Sequence, residues 1–169
     1  VPGIGDIRFD QGTSGTGIQR MDDMTPTAWE EADGAGLSAG INKVMGTSAG
    51  STIEWTMSDD IVPAGATIRI AYSKDADGSN AGDKGSAGTS GVLKAGFDVT
   101  AELSSDLHGV DGLTLYGGIS EVEKHVNATK HSGDVSEYVL GVKYAAGNFT
   151  VGYQITDEDT GETMDNEEP

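Results

Sequence analysis

The sequence predicts an all-β fold, an antiparallel up-and-down sheet, and three observations lead to it. Seven stretches alternate apolar and polar residues at period two, which is the period of a β-strand. The connections between these stretches alternate between short and long. Charged residues inside the stretches fall on the parity opposite the apolar residues, with the exception of Glu121. These patterns predict a meander with one apolar and one polar face.

The strands are predicted where apolar residues keep one parity between Gly, Asp, Asn or Pro residues. In chain order the predicted strands cover residues 5–10, 51–58, 66–73, 91–103, 112–121, 136–145 and 148–157. The fourth is the most regular, because an apolar residue occupies every second position from Leu93 to Leu103. The last two strands are predicted to form a hairpin around a tight turn.

Connection lengths give a second pattern. The short connections are residues 59–65, 104–111 and 146–147, whereas the long ones are residues 11–50, 74–90 and 122–135, with an acidic tail after them. Successive connections of a meander lie at opposite ends of the sheet, so all the short ones share one end. Outer-membrane barrels have this asymmetry.

Composition excludes several classes of protein. The chain has 28 acidic and 10 basic residues and a net charge of −18, which argues against a nucleic-acid partner held by a basic patch. There is no cysteine for a disulfide or a thiolate site. No apolar run reaches the roughly 20 residues of a membrane helix, so a membrane interpretation must use strands. No catalytic motif or metal-ligand spacing is present, and we predict neither enzyme activity nor a metal site.

Two architectures satisfy the alternation. A β-sandwich would turn the apolar face inward, and a membrane barrel would turn it outward to lipid. Glycines on the polar face favour the curved wall of a barrel lumen; they are Gly96, Gly118, Gly141 and Gly152. The alternative is a secreted acidic β-sandwich or surface adhesin module that binds Ca²⁺ through acidic loops.

Four segments resemble Gram-negative general porins of the alphaproteobacterial type. They are the hairpin VLGVKYAAGNFTVGYQ, the strand GLTLYGGISE, the strand and loop GATIRIAYSKDADGS, and the insertion RMDDMTPTAWEEADGAGLSAGINKV. The resemblance covers residues 1–169 as a single domain and depends on the order of strands and loops. It implies an antiparallel transmembrane β-barrel of about 16 strands, of which this chain would supply about seven. We therefore expect an internal fragment of a longer chain.

The resemblance also implies that residues 11–50 form the loop that constricts the pore, with a short helix whose N-cap is Thr25. The acidic side of the constriction would comprise Asp22, Asp23, Glu30, Glu31 and Asp33. The basic wall of the lumen would comprise Arg8, Arg69, Lys94 and Lys143, with Glu54, Asp98, Glu102 and Glu137 also facing the lumen. The lipid-facing set would comprise Phe97, Val99, Tyr138, Leu140, Val142, Tyr144, Phe149, Val151 and Tyr153.

The function implied is a water-filled outer-membrane channel for passive diffusion of small hydrophilic solutes and ions. The acidic composition predicts a preference for cations. The expected partners are membrane lipid, lipopolysaccharide, the transported solutes and two further copies in a homotrimer. We expect no resident cofactor, although Ca²⁺ could bind acidic outer loops such as residues 158–169.

Overall fold

The computed structural model describes residues 2–11, 15–22, 24–26, 44–76, 93–124 and 133–161. Seven β-strands account for most of these residues. They are β1 (Gly5–Gln11), β2 (Ser51–Met57), β3 (Ala66–Ser73), β4 (Leu93–Leu103), β5 (Leu113–Lys124), β6 (Val135–Ala146) and β7 (Phe149–Asp159). Two short 3₁₀ helices, Gly17–Met21 and Gly46–Ala49, lie between β1 and β2, and a single helical turn, α1 (Ser105–His108), lies between β4 and β5.

The strands form one antiparallel sheet in the order β1-β2-β3-β4-β5-β6-β7. The predicted all-β fold, the strand number and the meander are therefore confirmed. The sheet is open across the part of the chain that the structure describes, because β1 pairs only with β2 and β7 only with β6. The four strands β4 to β7 are longer than the first three, at 11 or 12 residues each.

Burial on the two faces of the sheet is the reverse of that in a water-soluble protein, where the apolar face is buried and the polar face is exposed. On the apolar face, large side chains are exposed, among them Phe9 at 74%, Leu140 at 62% and Tyr153 at 65%. On the polar face, Asp98 is 0% and Glu54 2% exposed. Large apolar residues are normally the buried ones and carboxylates the exposed ones.

The middle of the polar face is buried because the chain between β1 and β2 folds back over it. Both 3₁₀ helices of this connection pack on the middle strands β4 and β5. Ile18 and Met21 of the first helix and Val44, two residues before the second, form a small core with Tyr116 and Val139 of the sheet. This apolar cluster thus lies between the connection and the polar face.

Candidate functional site

Three buried carboxylates lie in one row across the polar face. The strand pairing runs from Glu54 on β2 through Ala71 on β3 to Asp98 on β4. It continues through Ser120 on β5 to Glu137 on β6. Alternate strands are roughly 9 to 10 Å apart, so the carboxylates are spaced by about that distance with a small residue between each pair. This row forms the surface on which the β1–β2 connection lies.

Asp98 holds both ends of this connection. Its Oδ2 atom accepts the backbone N–H of Ile18 at 3.0 Å. The same atom accepts the backbone N–H of Thr47 at 3.1 Å and the Thr47 hydroxyl at 2.8 Å. Hydrogen bonds to an ionised carboxylate are about twice as strong as neutral ones, which suits a buried group with several donors. One side chain therefore joins the first and the second 3₁₀ helix.

Glu137 binds only the second end of the connection. Its Oε2 atom accepts the backbone N–H of Gly46 at 2.6 Å and that of Met45 at 3.2 Å. Each N–H lies at the start of a 3₁₀ helix and has no partner within the helix. Glu137 thus satisfies donors that burial would otherwise leave unpaired.

Glu54 holds the first end. Its Oε2 atom accepts the backbone N–H of Gly17 at 2.8 Å. Its Oε1 atom accepts a hydrogen bond from the guanidinium of Arg20, which also forms an ion pair with it. Of these three buried carboxylates, Glu54 is the one paired with a cation in the described chain.

Two glycines allow the backbone to approach Asp98 closely. Gly17 and Gly46 begin the two 3₁₀ helices, with φ values of 56° and 51°. A Cβ at Gly17 would lie 1.8 Å from Asp98 Oδ2, and one at Gly46 would lie 2.6 Å from both oxygens. Glycine is the residue that accepts this backbone conformation without steric cost and leaves this space empty.

The basic residues assigned to the lumen wall lie in different surroundings. Arg8 donates to Asp10 at 3.3 Å and to the carbonyl of Gly15 at 3.1 Å. Arg69 forms an ion pair with Glu102 on the neighbouring strand. Lys94 is exposed, and Lys143 is half-buried. The structure thus brings Arg8 to the edge of the connection and Arg69 to a sheet ion pair.

The acidic residues assigned to the constriction lie mostly outside the described residues, and the predicted short helix does too. Asp22 is the exception, a half-buried residue that caps the first 3₁₀ helix and donates its N–H to the carbonyl of Gln19. The chain then crosses the sheet, because a Cβ on Gly152 of β7 would lie 2.8 Å from Pro26. The connection therefore reaches from β1 to the far strand β7.

A cleft of about 310 Å³ opens beside this connection, at the end of the sheet where the short connections lie. Met24 lines one side of it, and Lys143 and Glu102 line the polar face. The remaining lining residues are Asp59, Gly65, Ala66, Thr67, Ser104 and Thr114. The cleft thus presents both signs of charge on a polar wall.

The residues assigned to the lipid face lie on the exposed apolar face. Val99 and Val142 are half-buried, and the other members are exposed, namely Phe97, Tyr138, Leu140, Tyr144, Phe149, Val151 and Tyr153. Rings occur towards both ends of the strands. Tyr72 and Tyr138 lie towards the long connections, and Trp55 and Tyr144 towards the short ones.

The sheet residues on which the connection packs were not identified from the sequence. Val139 and Tyr116 belong to the polar parity yet are buried under Ile18 and Met21. The signal was present, because an apolar Val139 interrupts an otherwise polar set. The polar-face glycines also have a contact role that the lumen-curvature argument did not include. A Cβ on Gly141 would lie 2.1 Å from the Tyr116 ring.

No group of three His, Asp or Glu side chains within the described ranges is arranged to hold a metal ion. None of the helices in those ranges is long and apolar enough to cross a bilayer. The chain matches no protein-family model, no curated protein and no solved structure. The geometry of the sheet and its connection is therefore the basis for a functional proposal.

Proposed function

We propose that this chain is the part of a porin-type outer-membrane channel that carries the pore-constricting loop. The apolar face would contact lipid, and the polar face would line a water-filled lumen through which small hydrophilic solutes and ions diffuse. The observation that carries the proposal is the inverted burial of the sheet, with Leu140 at 62% exposed while Asp98 is fully buried on the other face.

The exposed apolar face supports a lipid environment on energetic grounds. Apolar surface left in water costs about 25 cal/mol per Å², and soluble monomers seldom expose apolar patches above a few hundred Å². Each of the seven strands has at least one exposed large apolar or aromatic side chain, and on β3 this side chain is Tyr72. Contact with lipid would remove this cost over the whole face.

Strand length and ring position also fit a bilayer. A tilted membrane strand needs about 9–11 residues to cross the hydrocarbon layer, and β4 to β7 have 11 or 12. Aromatic girdles mark both interfaces of outer-membrane barrels. Tyr138 and Tyr144, towards opposite ends of β6, suit the two girdles.

The covered polar face supports a constriction. A connection that folds onto the lumen wall narrows the passage beside it, and here the connection is bound to the wall through Glu54, Asp98 and Glu137. The cleft beside Met24 would be part of the remaining passage, with Lys143 and Glu102 on its wall. Selectivity would follow from its size and charge.

The test uses the complete gene product. We expect its coding sequence to add further alternating strands, and the purified protein to require detergent, to fractionate with outer membranes and to form steps of conductance in planar bilayers. Reversal potentials under a salt gradient should show cation preference. A protein that is soluble without detergent, stabilised by Ca²⁺ and non-conducting would instead belong to the acidic β-sandwich or adhesin class.

A further inference from the structure

We propose that Asp98 and Glu137 are positioning residues whose charge holds the pore-constricting connection on the wall, so that proton uptake by them releases it and changes the aperture. This inference rests on the proposed channel function for its effect on conductance. Its structural part, the release of the connection, can be measured separately. The observations that carry it are the donors, the burial and the charged neighbours of the two carboxylates.

The donors show how much depends on Asp98. The bonds to Ile18 and Thr47 come from opposite ends of the connection and meet at one oxygen. Glu137 adds the N–H groups of Met45 and Gly46 at the second end. An ionised carboxylate accepts hydrogen bonds on both oxygens, whereas a protonated one has a donor of its own and is a weaker acceptor. Proton uptake therefore weakens the attachment at both ends.

The charged groups around the row decide which carboxylates can take up a proton. Glu54, on β2, forms an ion pair with Arg20. Glu158 on β7 lies directly across from Glu137 and adds a second negative charge. The immediate strand neighbours of Asp98 are the uncharged Ala71 and Ser120.

On β1, Arg8 lies across from Glu54 in the strand pairing and is paired with Asp10. Within the described chain no Lys or Arg forms an ion pair with Asp98 or Glu137. Among the described residues, neither carboxylate therefore has a bonded cation that opposes proton uptake. Glu54 would keep the first end in place after the other two attachments weaken.

The release would act on the passage because the connection spans the polar face. It contacts β7 at Gly152 through Pro26, and Met24 borders the cleft. A connection that leaves the wall enters the space beside it. We therefore expect a lower mean conductance and a noisier open-channel current at acid pH.

The first measurement is a distance between two spin labels in the complete gene product. This chain has no cysteine, so Met45→Cys on the connection and Lys94→Cys on β4 would be its labelled positions. Both side chains are exposed. Pulsed electron paramagnetic resonance at about pH 7.5 and about pH 4, near the ordinary pKa of Asp and Glu, gives the distance distribution in each state. We expect a narrow distribution at the higher pH and a broader, shifted one at the lower pH.

The decisive variant carries Asp98→Asn and Glu137→Gln together. Each amide keeps an oxygen that can accept the backbone N–H groups, but neither side chain titrates in this range. We expect its distribution to be the same at both pH values. The matched control is Glu121→Gln, which removes an exposed carboxylate from the opposite face and should keep the wild-type response.

An unchanged wild-type distribution at about pH 4, or an equal response in the double variant, would overturn the inference. If the labels separate at acid pH but conductance stays constant, the carboxylates do not control the aperture. If the protein never conducts, the channel proposal fails, while the distances still decide whether the carboxylates position the connection.

Discussion

A Cβ atom on Gly17 would lie 1.8 Å from Oδ2 of Asp98. The N–H of Gly17 is bound by Glu54, and the next N–H, that of Ile18, is bound by Asp98. Gly17 therefore lies between two carboxylates of the row, and a Cβ at this position would point at Asp98. This contact makes residue 17 a probe of the attachment from the side of the connection.

We expect Gly17→Ala to destabilise the protein by about 1–3 kcal/mol more than Gly15→Ala. Both glycines have positive φ, at 56° and 77°, so both substitutions carry a backbone strain of about 1–2 kcal/mol. A Cβ at Gly15 meets nothing within 4 Å, which makes it the matched control. The measurement is the urea unfolding midpoint of each variant. Equal losses at the two positions would mean that the close approach to Asp98 is not tight in solution.

The pair formed by Glu54 and Arg20 should couple more strongly than the ion pair between Arg69 and Glu102. The Glu54 side chain is 2% exposed and Arg20 27%, whereas Arg69 and Glu102 are 18% and 26% exposed. A charge pair that includes a fully buried partner is less screened by water. Double-mutant cycles with Gln replacements should give about 1–3 kcal/mol for the first pair and less than about 1 kcal/mol for the second. Equal coupling energies would contradict this assignment.

The sequence predicted the strands but could not predict the row of carboxylates. Parity placed Glu54, Asp98 and Glu137 on one face, because side chains alternate along a strand. Their alignment depends on the register between strands. Hydrophobic patterning excludes a register shift of one residue but allows a shift of two. The sequences of the long connections predict no turn geometry that would exclude the two-residue shift. The structure supplies the register, and the row follows from it.

The sequence could not predict how the connection is attached to the sheet either. Gly17 and Gly46 look like ordinary loop glycines, and the bonds they allow are to side chains far along the chain. Parity predicts that Asp98 faces a lumen, and in the structure backbone N–H groups of the connection cover its carboxylate. The alternation of side chains along a strand defines the two faces of a sheet but not what covers either face.

Gly141 and Tyr116 offer a test of the packing beneath the connection. The Tyr116 ring lies over Gly141, and its hydroxyl donates to Gln154 at 2.7 Å. Gly141→Ala should force the ring away and cost about 1–3 kcal/mol of unfolding free energy. Combining it with Tyr116→Leu, which shortens the side chain, should recover part of that loss. If the double variant is no more stable than the sum of the two single effects predicts, the Tyr116 ring is not what the added Cβ at residue 141 displaces.

Leu140→Arg tests whether the apolar face contacts lipid or water. Leu140 lies in the middle of β6 and is 62% exposed. If this face meets lipid, an arginine near mid-depth should cost about 2–4 kcal/mol and reduce the yield of heat-resistant barrel. Ala145→Arg, on the same strand but on the polar parity, should have little effect. If Leu140→Arg is neutral or improves solubility, the face meets water and the channel proposal loses its main support.

Lys143 tests whether the cleft beside the connection belongs to the conducting path. It lines the cleft opposite Met24, and its amino group has no ion-pair partner within the described chain. Lys143→Glu changes the local charge by two units, an effect of about 1 kcal/mol on an ion several ångströms away in a water-like dielectric. Because that energy favours a cation and disfavours an anion, the cation-to-anion permeability ratio should rise roughly thirtyfold, measured from reversal potentials under a salt gradient. Lys124→Glu, at the far end of β5 where Lys124 bonds the carbonyl of Thr160, is the control and should shift the ratio much less. Equal shifts for the two variants would indicate a general surface effect, because only a residue that borders the narrow part of the passage should act on the permeating ion at close range.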